Sequence, residues 1–456
     1  MTVSETLAQF VHQLRYEDIP LDVRERVKDL MLDCVGIAFA STRFEYAGKA
    51  LAGLSTFGTG TRTVIGMPAK LALRDAVVMN GVLIHGLDYD DTHIEGVVHA
   101  SASCFSCALS VAAEVDASGQ DLITAYVAGL EAIARLGMVA KGGLHLNGLH
   151  PTGTIAAFAS ALIAGKLWKL DADQLTMALG NALSTAPVSS RQYSLEGAWT
   201  KRAHPGWGAA AGITAAALAR GGFIGPKQIF EGDYNLYQSL TGTRYSECDL
   251  SLATKDLGTV WESARVAVKP IPACHLVHAC SDAAVALART YAIKPEDVKS
   301  IRALVPEQTV HVVCEPAAKR RRPMSSYAAQ FSVFHAVAAS MIRGKFGLAE
   351  MEPGVYNDPA ILALSDKVSY ETDPRSEYPK YFSGEVIITL NDGHELRHRE
   401  HINRGAAERP IVRADVEAKY FDNAMIAISR ARATCVRDTV YAADQNPARV
   451  LEAALV

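Results

Sequence analysis

Between Arg24 and Ala40 apolar side chains recur at three- and four-residue intervals, the spacing of a half-buried helix. Leu122–Leu136, Ile155–Leu167 and Ala209–Ala219 repeat the pattern with so many alanines that nearly every face is apolar. Helices of that kind belong in the middle of a bundle, where small side chains let neighbours approach closely. Gly and Pro punctuate them at Gly148, Pro151, Gly197, Pro205, Gly221-Gly222 and Gly225-Pro226, marking loops and helix ends. Up to about residue 265 the signals are almost entirely helical.

Beyond that point the texture changes. Ser300-Ile-Arg-Ala-Leu-Val-Pro306 and Thr309-Val-His-Val-Val313 alternate as strands do. Glu385–Leu390 and His394–Glu400, separated by Asn391-Asp-Gly393, read as a β-hairpin. Helical patterns at Cys274–Thr290 and Ser332–Arg343 accompany these strands, and Val412–Ala431 and Pro447–Leu455 are helical again. The expected fold is mainly α: a large all-α helical domain built from both chain ends (1–267 and 404–456), interrupted by a smaller inserted α+β domain at 268–403.

Composition narrows the functional classes. A chain of 456 residues can bury a large core in two domains. Its net charge of -4 gives no electrostatic case for nucleic acid or an anionic membrane surface. Met1-Thr-Val-Ser-Glu-Thr6 lacks the basic-then-apolar order of a signal peptide. No uncharged apolar run reaches the roughly eighteen residues of a membrane span, so a soluble cytoplasmic protein is expected. The cysteines are scattered, and the one C-x-x-C, Cys104-Phe-Ser-Cys107, sits in a small-residue helix without a second pair; packed thiols are expected there.

Against this apolar background polar residues gather in four nodes. Gly86-Leu-Asp-Tyr-Asp-Asp-Thr-His-Ile-Glu-Gly-Val-Val-His99 carries three Asp, one Glu and two His in fourteen residues. Gly148–Thr154, Trp199–Pro205 and Pro272–His278 each carry histidine. Asp88, Asp90 and Asp91 raise one another's pKa unless cations lie nearby, and Lys201, Arg202, Lys269 and Lys319–Arg322 are candidates. Histidine exchanges protons near neutral pH, so the nodes suit general acid–base work. His150 stands immediately before a helix, where backbone N–H groups favour an anion. Lysine and arginine converging there would suit a polycarboxylate. Plainer readings stand beside these: the Asp cluster as a helix cap with a solvated loop, or as a divalent-metal site; His150 as a capping or core residue; Lys319–Arg322 as a solvated turn; His275 and His278 as half of a metal site.

Taken in order, the nodes resemble the MmgE/PrpD family. The resemblance rests on Asp88-Tyr-Asp-Asp-Thr92 with His99, Leu149-His-Pro-Thr-Gly-Thr154, Lys201-Arg-Ala-His-Pro-Gly-Trp-Gly-Ala-Ala-Ala-Gly-Ile213, Gly222-Phe-Ile-Gly-Pro226 with Phe230-Glu-Gly232, Lys269-Pro-Ile-Pro-Ala-Cys-His275, and Ser326-Tyr-Ala-Ala-Gln-Phe-Ser332. It implies a helical domain with a smaller α+β lid, a site at their junction, a homodimer, and no metal or iron–sulfur cofactor. Family activities include 2-methylcitrate dehydration, cis-aconitate decarboxylation and iminodisuccinate epimerisation. Carried over block by block, the resemblance points to Asp88, Thr92, His99, His150, Lys201 and His275, with His278 competing for the last role. Arg202, His204 and Tyr327 join Thr92 and His278 as expected substrate contacts. Two stretches depart from the family pattern: Thr92–His99 is one residue longer than in decarboxylase-like members, and Glu231-Gly-Asp-Tyr-Asn235 replaces a glycine-rich run.

These activities all labilise a bond beside a carboxylate-bearing carbon through an enolate-like state. Such a state needs cations or donors on the carboxylate, here Lys201 with His204 or backbone N–H groups, and a base, with His150 or His99 the best placed. Asp88 would orient. The expected enzyme is a cofactor-independent lyase, first of all a dehydratase of a 2-methylcitrate-like hydroxy-polycarboxylate. An imino- or amino-dicarboxylate epimerase and a cis-aconitate-type decarboxylase are the alternatives.

Overall fold

The computed structural model describes residues 1–456, with the side chains of all but Leu195. The expected all-round apolar helices form, and the fold is mainly α. Two compact units divide the chain: Met1–Arg191, Trp199–Val268 and Val412–Val456 make one, Gln192–Ala198 and Lys269–Ile411 the other.

The first unit is a helical bundle whose principal members are α1 (Leu21–Ser41), α2 (Leu73–His85), α3 (Ala100–Glu114), α4 (Gly119–Val139), α5 (Pro151–Leu167), α6 (Ala172–Thr185) and α7 (Thr200–Arg220). Helix α5 lies at the centre, buried along its length except at Lys166, and packs on α3, α4, α6 and α7. Its alanines and glycines permit this, since a helix enclosed on all sides must be apolar all round and slim. Helix α4 is as long and apolar as a membrane span, yet 94% of that stretch is buried inside the protein. It also carries the buried Arg135–Glu131 pair, whose atoms lie 3.1 Å apart.

Glycines set how closely α7 crosses its neighbours. A Cβ on Gly206 would stand 2.5 Å from the Val78 carbonyl oxygen of α2, and one on Gly81 would stand 2.7 Å from the Gly206 Cα. A Cβ on Gly208 would fall on the Gly153 carbonyl oxygen of α5. Only hydrogen fits at these crossings, so the first turns of α7 sit beside the end of α2 and the start of α5. From the far end of the sequence, the helix Arg413–Ala424 packs along α1, closing the bundle with both chain termini.

The second unit holds a four-stranded sheet of β1 (Val298–Val305), β2 (Val368–Thr372), β3 (Gly384–Leu390) and β4 (Glu395–Glu400), in the order β2-β1-β3-β4. The expected β3–β4 hairpin forms, with Val386 opposite His398, and Gly393 supplies the positive φ of 90° in its turn. Helix α8 (His278–Tyr291) packs on β3 and β4, and α9 (Val333–Arg343) packs on α8 and β2.

Three details differ from the sequence pattern. Val310–Val313 forms one helical turn, not a strand: Pro306 ends β1, and Thr309 folds back to donate both its N–H and its hydroxyl to the Pro306 carbonyl. The helix expected over Val412–Ala431 stops at Ala424, and a new one starts at Arg430 because the Ser429 hydroxyl caps it by accepting from the Arg432 N–H. Strand β2 goes unannounced in the sequence because only Val368 of its five residues is buried, which leaves no alternation to read.

The crossings predict a contrast between two glycines. Gly206→Ala should lower unfolding stability by ~1–3 kcal/mol through overpacking. Gly53→Ala, on an exposed helical position with nothing within 4 Å of the new methyl, should be neutral or stabilising. Urea midpoints measure both, and equal midpoints for the two variants would contradict the close crossing.

Candidate functional site

Helix α2 ends at His85, and the chain turns through Gly86 and Leu87 into Asp88, whose φ of 51° places it in the left-handed region. Asp is among the few side chains that tolerate that conformation. Thr92 is then pinned by two backbone hydrogen bonds to Ala267, of 2.9 and 2.8 Å, before the segment returns to α3 at His99. The Asp-rich node therefore bridges two helix ends.

It is not a solvated loop. Asp88, Asp90 and Asp91 are each at most 1% exposed, so each needs a counter-group. Asp88 Oδ1 lies 2.8 Å from Lys201 Nζ and 3.9 Å from His99 Nε2. Both oxygens of Asp90 face His85 Nδ1, at 2.9 and 2.8 Å. Asp91 Oδ1 accepts from the Ala100 and Ser101 N–H groups, at 3.1 and 3.0 Å, and so caps α3. Burial, with the charges of Asp90 and Asp33 adding to it, pushes the Asp91 carboxyl up to about 7. The capping reading of the cluster thus holds for Asp91.

Four imidazoles close around the Asp88–Lys201 pair. His150 occupies the N-cap position of α5, with Pro151 pre-set for the first turn, and its own N–H donates to the Ser189 carbonyl at 2.7 Å. His204, from the first turns of α7, places its Nδ1 3.1 Å from His150 Nδ1, so one proton is shared between them. The His85 ring stacks against His150, centroids 5.5 Å apart, and lies 4.8 Å from the His99 ring. His99 Nδ1 is 2.8 Å from the Asp91 carbonyl oxygen and 3.2 Å from Thr92 Oγ1. A carbonyl only accepts, so His99 Nδ1 carries a proton, and its Nε2 faces Asp88 Oδ1.

Electrostatics keep His150, His204 and His85 uncharged. Burial lowers His150 well below the usual imidazole range, and Lys201 and the neighbouring rings depress it further. Burial, with His85 and Lys201 behind it, takes His204 down to about 3. His85 is lowered by burial and by Lys201, against the opposing pull of Asp90. Neutral imidazoles beside a buried ammonium are proton acceptors poised next to an anion-binding group.

Arg202 serves the same turn: its Nε donates to the Gly86 carbonyl at 2.7 Å, and its guanidinium lies 4.5 Å from the Tyr46 ring centroid. The remaining residues singled out in the sequence belong to the second unit. His275 is buried and accepts at Nε2 from Asn403 Nδ2 at 2.9 Å, while His278 donates from Nε2 to the Ala273 carbonyl at 3.0 Å. Their rings are 4.5 Å apart. Tyr327 is buried, with its ring 5.1 Å from that of Phe331.

Sequence reasoning left out three contributors. His85 stands at the end of an apolar helix one residue ahead of the node, a position that could have drawn notice. Asp33 and Lys419 could not have been paired from sequence: Lys419 Nζ, from the helix Arg413–Ala424, lies 2.7 Å from Asp33 and donates to the Tyr89 carbonyl at 2.8 Å. Two sets, His85–His99–His150 and Asp88–Asp90–His99, each bring one donor atom per residue within 4.8 Å of one another. The carboxylate set does not suit a cation, because Asp88 is engaged by an ammonium and both Asp90 oxygens face an imidazole N–H.

Asp91 gives a pH prediction. Its carboxyl ionises near 3.9 in the unfolded chain and at about 7 in the fold. The folded state therefore retains a proton that the unfolded state releases, and this residue's contribution to stability falls as pH rises from about 4 to 7. Asp91→Asn keeps the capping oxygen and removes the ionisation. Between pH 5 and 8 its urea midpoint should fall less than that of the unsubstituted protein; an identical fall in both would contradict the buried carboxyl.

Residues 5–248 match the MmgE/PrpD N-terminal domain and residues 271–445 the MmgE/PrpD C-terminal domain. Among curated relatives, the cis-aconitate decarboxylase of Aspergillus terreus is 29% identical, over 97% of this chain and 93% of its own length. The cis-aconitate decarboxylase of Mus musculus is 28% identical, over 93% of this chain and 87% of its own. A cis-aconitate decarboxylase-like protein of Aspergillus oryzae, oryM, is 26% identical, over 97% and 95%. The N-terminal match alone spans more than half of the chain, and the protein belongs to the MmgE/PrpD family.

Proposed function

We propose that this chain is a lyase that breaks a bond beside a carboxylate of a small polycarboxylate, through an enolate-like state, using its own acid–base groups. The observation that carries the reading is the buried cluster in which Lys201 pairs with Asp88, His99 faces that pair, and His150 stands beside it as a neutral imidazole. Lys201 supplies the positive charge for a substrate carboxylate and for the negative charge that develops on it. Asp88 holds the ammonium in place and does not attack. His99, its Nε2 turned toward Asp88, and His150 exchange the proton; Thr92, whose hydroxyl lies 3.2 Å from His99 Nδ1, contacts the substrate.

Decarboxylation of a cis-aconitate-like tricarboxylate is the first reading, because relatives so named align with nearly the whole chain. In that step the bond to the departing carboxylate breaks, CO₂ leaves, the electron pair enters the conjugated carboxylate, and a proton is delivered to carbon. Dehydration of a 2-methylcitrate-like hydroxy-polycarboxylate is the second reading, since the same buried ammonium and imidazoles would serve it. There a base removes the proton beside the carboxylate and an acid protonates the leaving hydroxide. An epimerase would exchange that hydrogen with solvent and form neither CO₂ nor an alkene.

Incubation with cis-aconitate, citrate, 2-methylcitrate and iminodisuccinate in D₂O, followed by NMR, separates these outcomes. Turnover of one tricarboxylate with CO₂ or alkene formation is expected; inertness toward the whole panel would contradict the reading. Prior dialysis against EDTA should leave the rate unchanged, and its loss would contradict catalysis by the chain's own groups. On the substrate found, His150→Gln should lower kcat/KM by ~100-fold or more with the thermal midpoint little changed, and near-normal turnover would remove His150 from the mechanism.

A further inference from the structure

We propose that His85, backed by Asp90, is a further catalytic residue, whose Nε2 exchanges a proton with the bound polycarboxylate; this rests on the lyase reading above. His85 closes α2 and is 1% exposed. Its Nδ1 meets both Asp90 oxygens at 2.8–2.9 Å. Between an imidazole and a carboxylate the proton resides on nitrogen, the stronger base. Nδ1 is thus the protonated nitrogen, and neutral His85 presents a lone pair at Nε2.

That Nε2 is buried and has no hydrogen-bond partner among the described residues. Buried acceptors are rarely left this way unless something outside the protein chain completes them. The rings packed against His85 belong to the proposed reaction centre: His99, with centroids 4.8 Å apart, and His150, 5.5 Å apart and nearly parallel at 21°. A donor group on the substrate would complete His85, and three imidazoles would then line one wall of the site.

The dyad has the form of a carboxylate–imidazole base. When Nε2 takes a proton, the substrate C–H or O–H bond breaks, its electron pair stays on the substrate, and the imidazolium is stabilised by the Asp90 carboxylate. In the reverse direction the same Nε2–H returns the proton to carbon. Asp90 acts through His85 as a positioning residue, fixing the tautomer that leaves Nε2 open.

Selective ¹⁵N-histidine NMR on the full chain tests this with tricarballylate, a non-reacting tricarboxylate, as the probe. The Nδ1–H tautomer of His85 and a shift of its Nε2 signal on adding tricarballylate are expected. An Nε2–H tautomer in the free protein would overturn the proposal. So would a shift at His150 without one at His85, while the absence of a shift at both rings would overturn the lyase reading beneath it as well. On the substrate identified by turnover, Asp90→Asn and His85→Gln should each lower kcat at least ~10-fold and change KM less than threefold. A kcat within twofold of the unsubstituted protein in either folded variant would overturn the assignment.

Discussion

Three carboxylates within four residues, all removed from water, persist only if each finds its own counter-charge or donor. Asp88 takes the Lys201 ammonium, Asp90 the His85 imidazole, and Asp91 the free amides at the start of α3. A buried charge left alone is among the costlier faults a fold can carry. The requirement ties the end of α2, the start of α3 and the first turn of α7 into one arrangement. Lys419 extends it to the last part of the chain by holding both Asp33 and the Tyr89 carbonyl.

The same constraint produces the chemistry. Burial, with the Lys201 ammonium adding to it, depresses the imidazoles around the pair, so His150, His204 and His85 stay neutral. Neutral rings accept protons, and the ammonium attracts the anion whose neighbouring bond is to be broken. The close crossings at Gly206 and Gly208 keep α7 near enough for Lys201 and His204 to reach. Packing and reactivity are therefore set by the same contacts.

Much of this was legible in the sequence. The Ala-rich helices, the β3–β4 hairpin and the Asp88, His99, His150, Lys201 and His204 nodes each stand out because polar residues are sparse in an apolar chain. The partners were not legible. Nothing in sequence joins Asp33 to Lys419, since the pairing depends on how a C-terminal helix lies along α1. His85 drew no notice because its meaning comes from Asp90 folding back five residues on. Val310–Val313 read as a strand because β-branched residues favour that state until Pro306 and Thr309 turn the chain. Local pattern reports which residues are unusual; only tertiary placement reports what they face.

The central claim is that Asp88 and Lys201 form one buried, energetically coupled unit. Urea unfolding of Asp88→Asn, Lys201→Met and the double variant measures that coupling directly, with no need for a known substrate. The double variant should be more stable than the sum of the single losses predicts, by ~1–3 kcal/mol. Additivity within ~0.5 kcal/mol would show that the two side chains do not depend on each other, and would contradict the site as described.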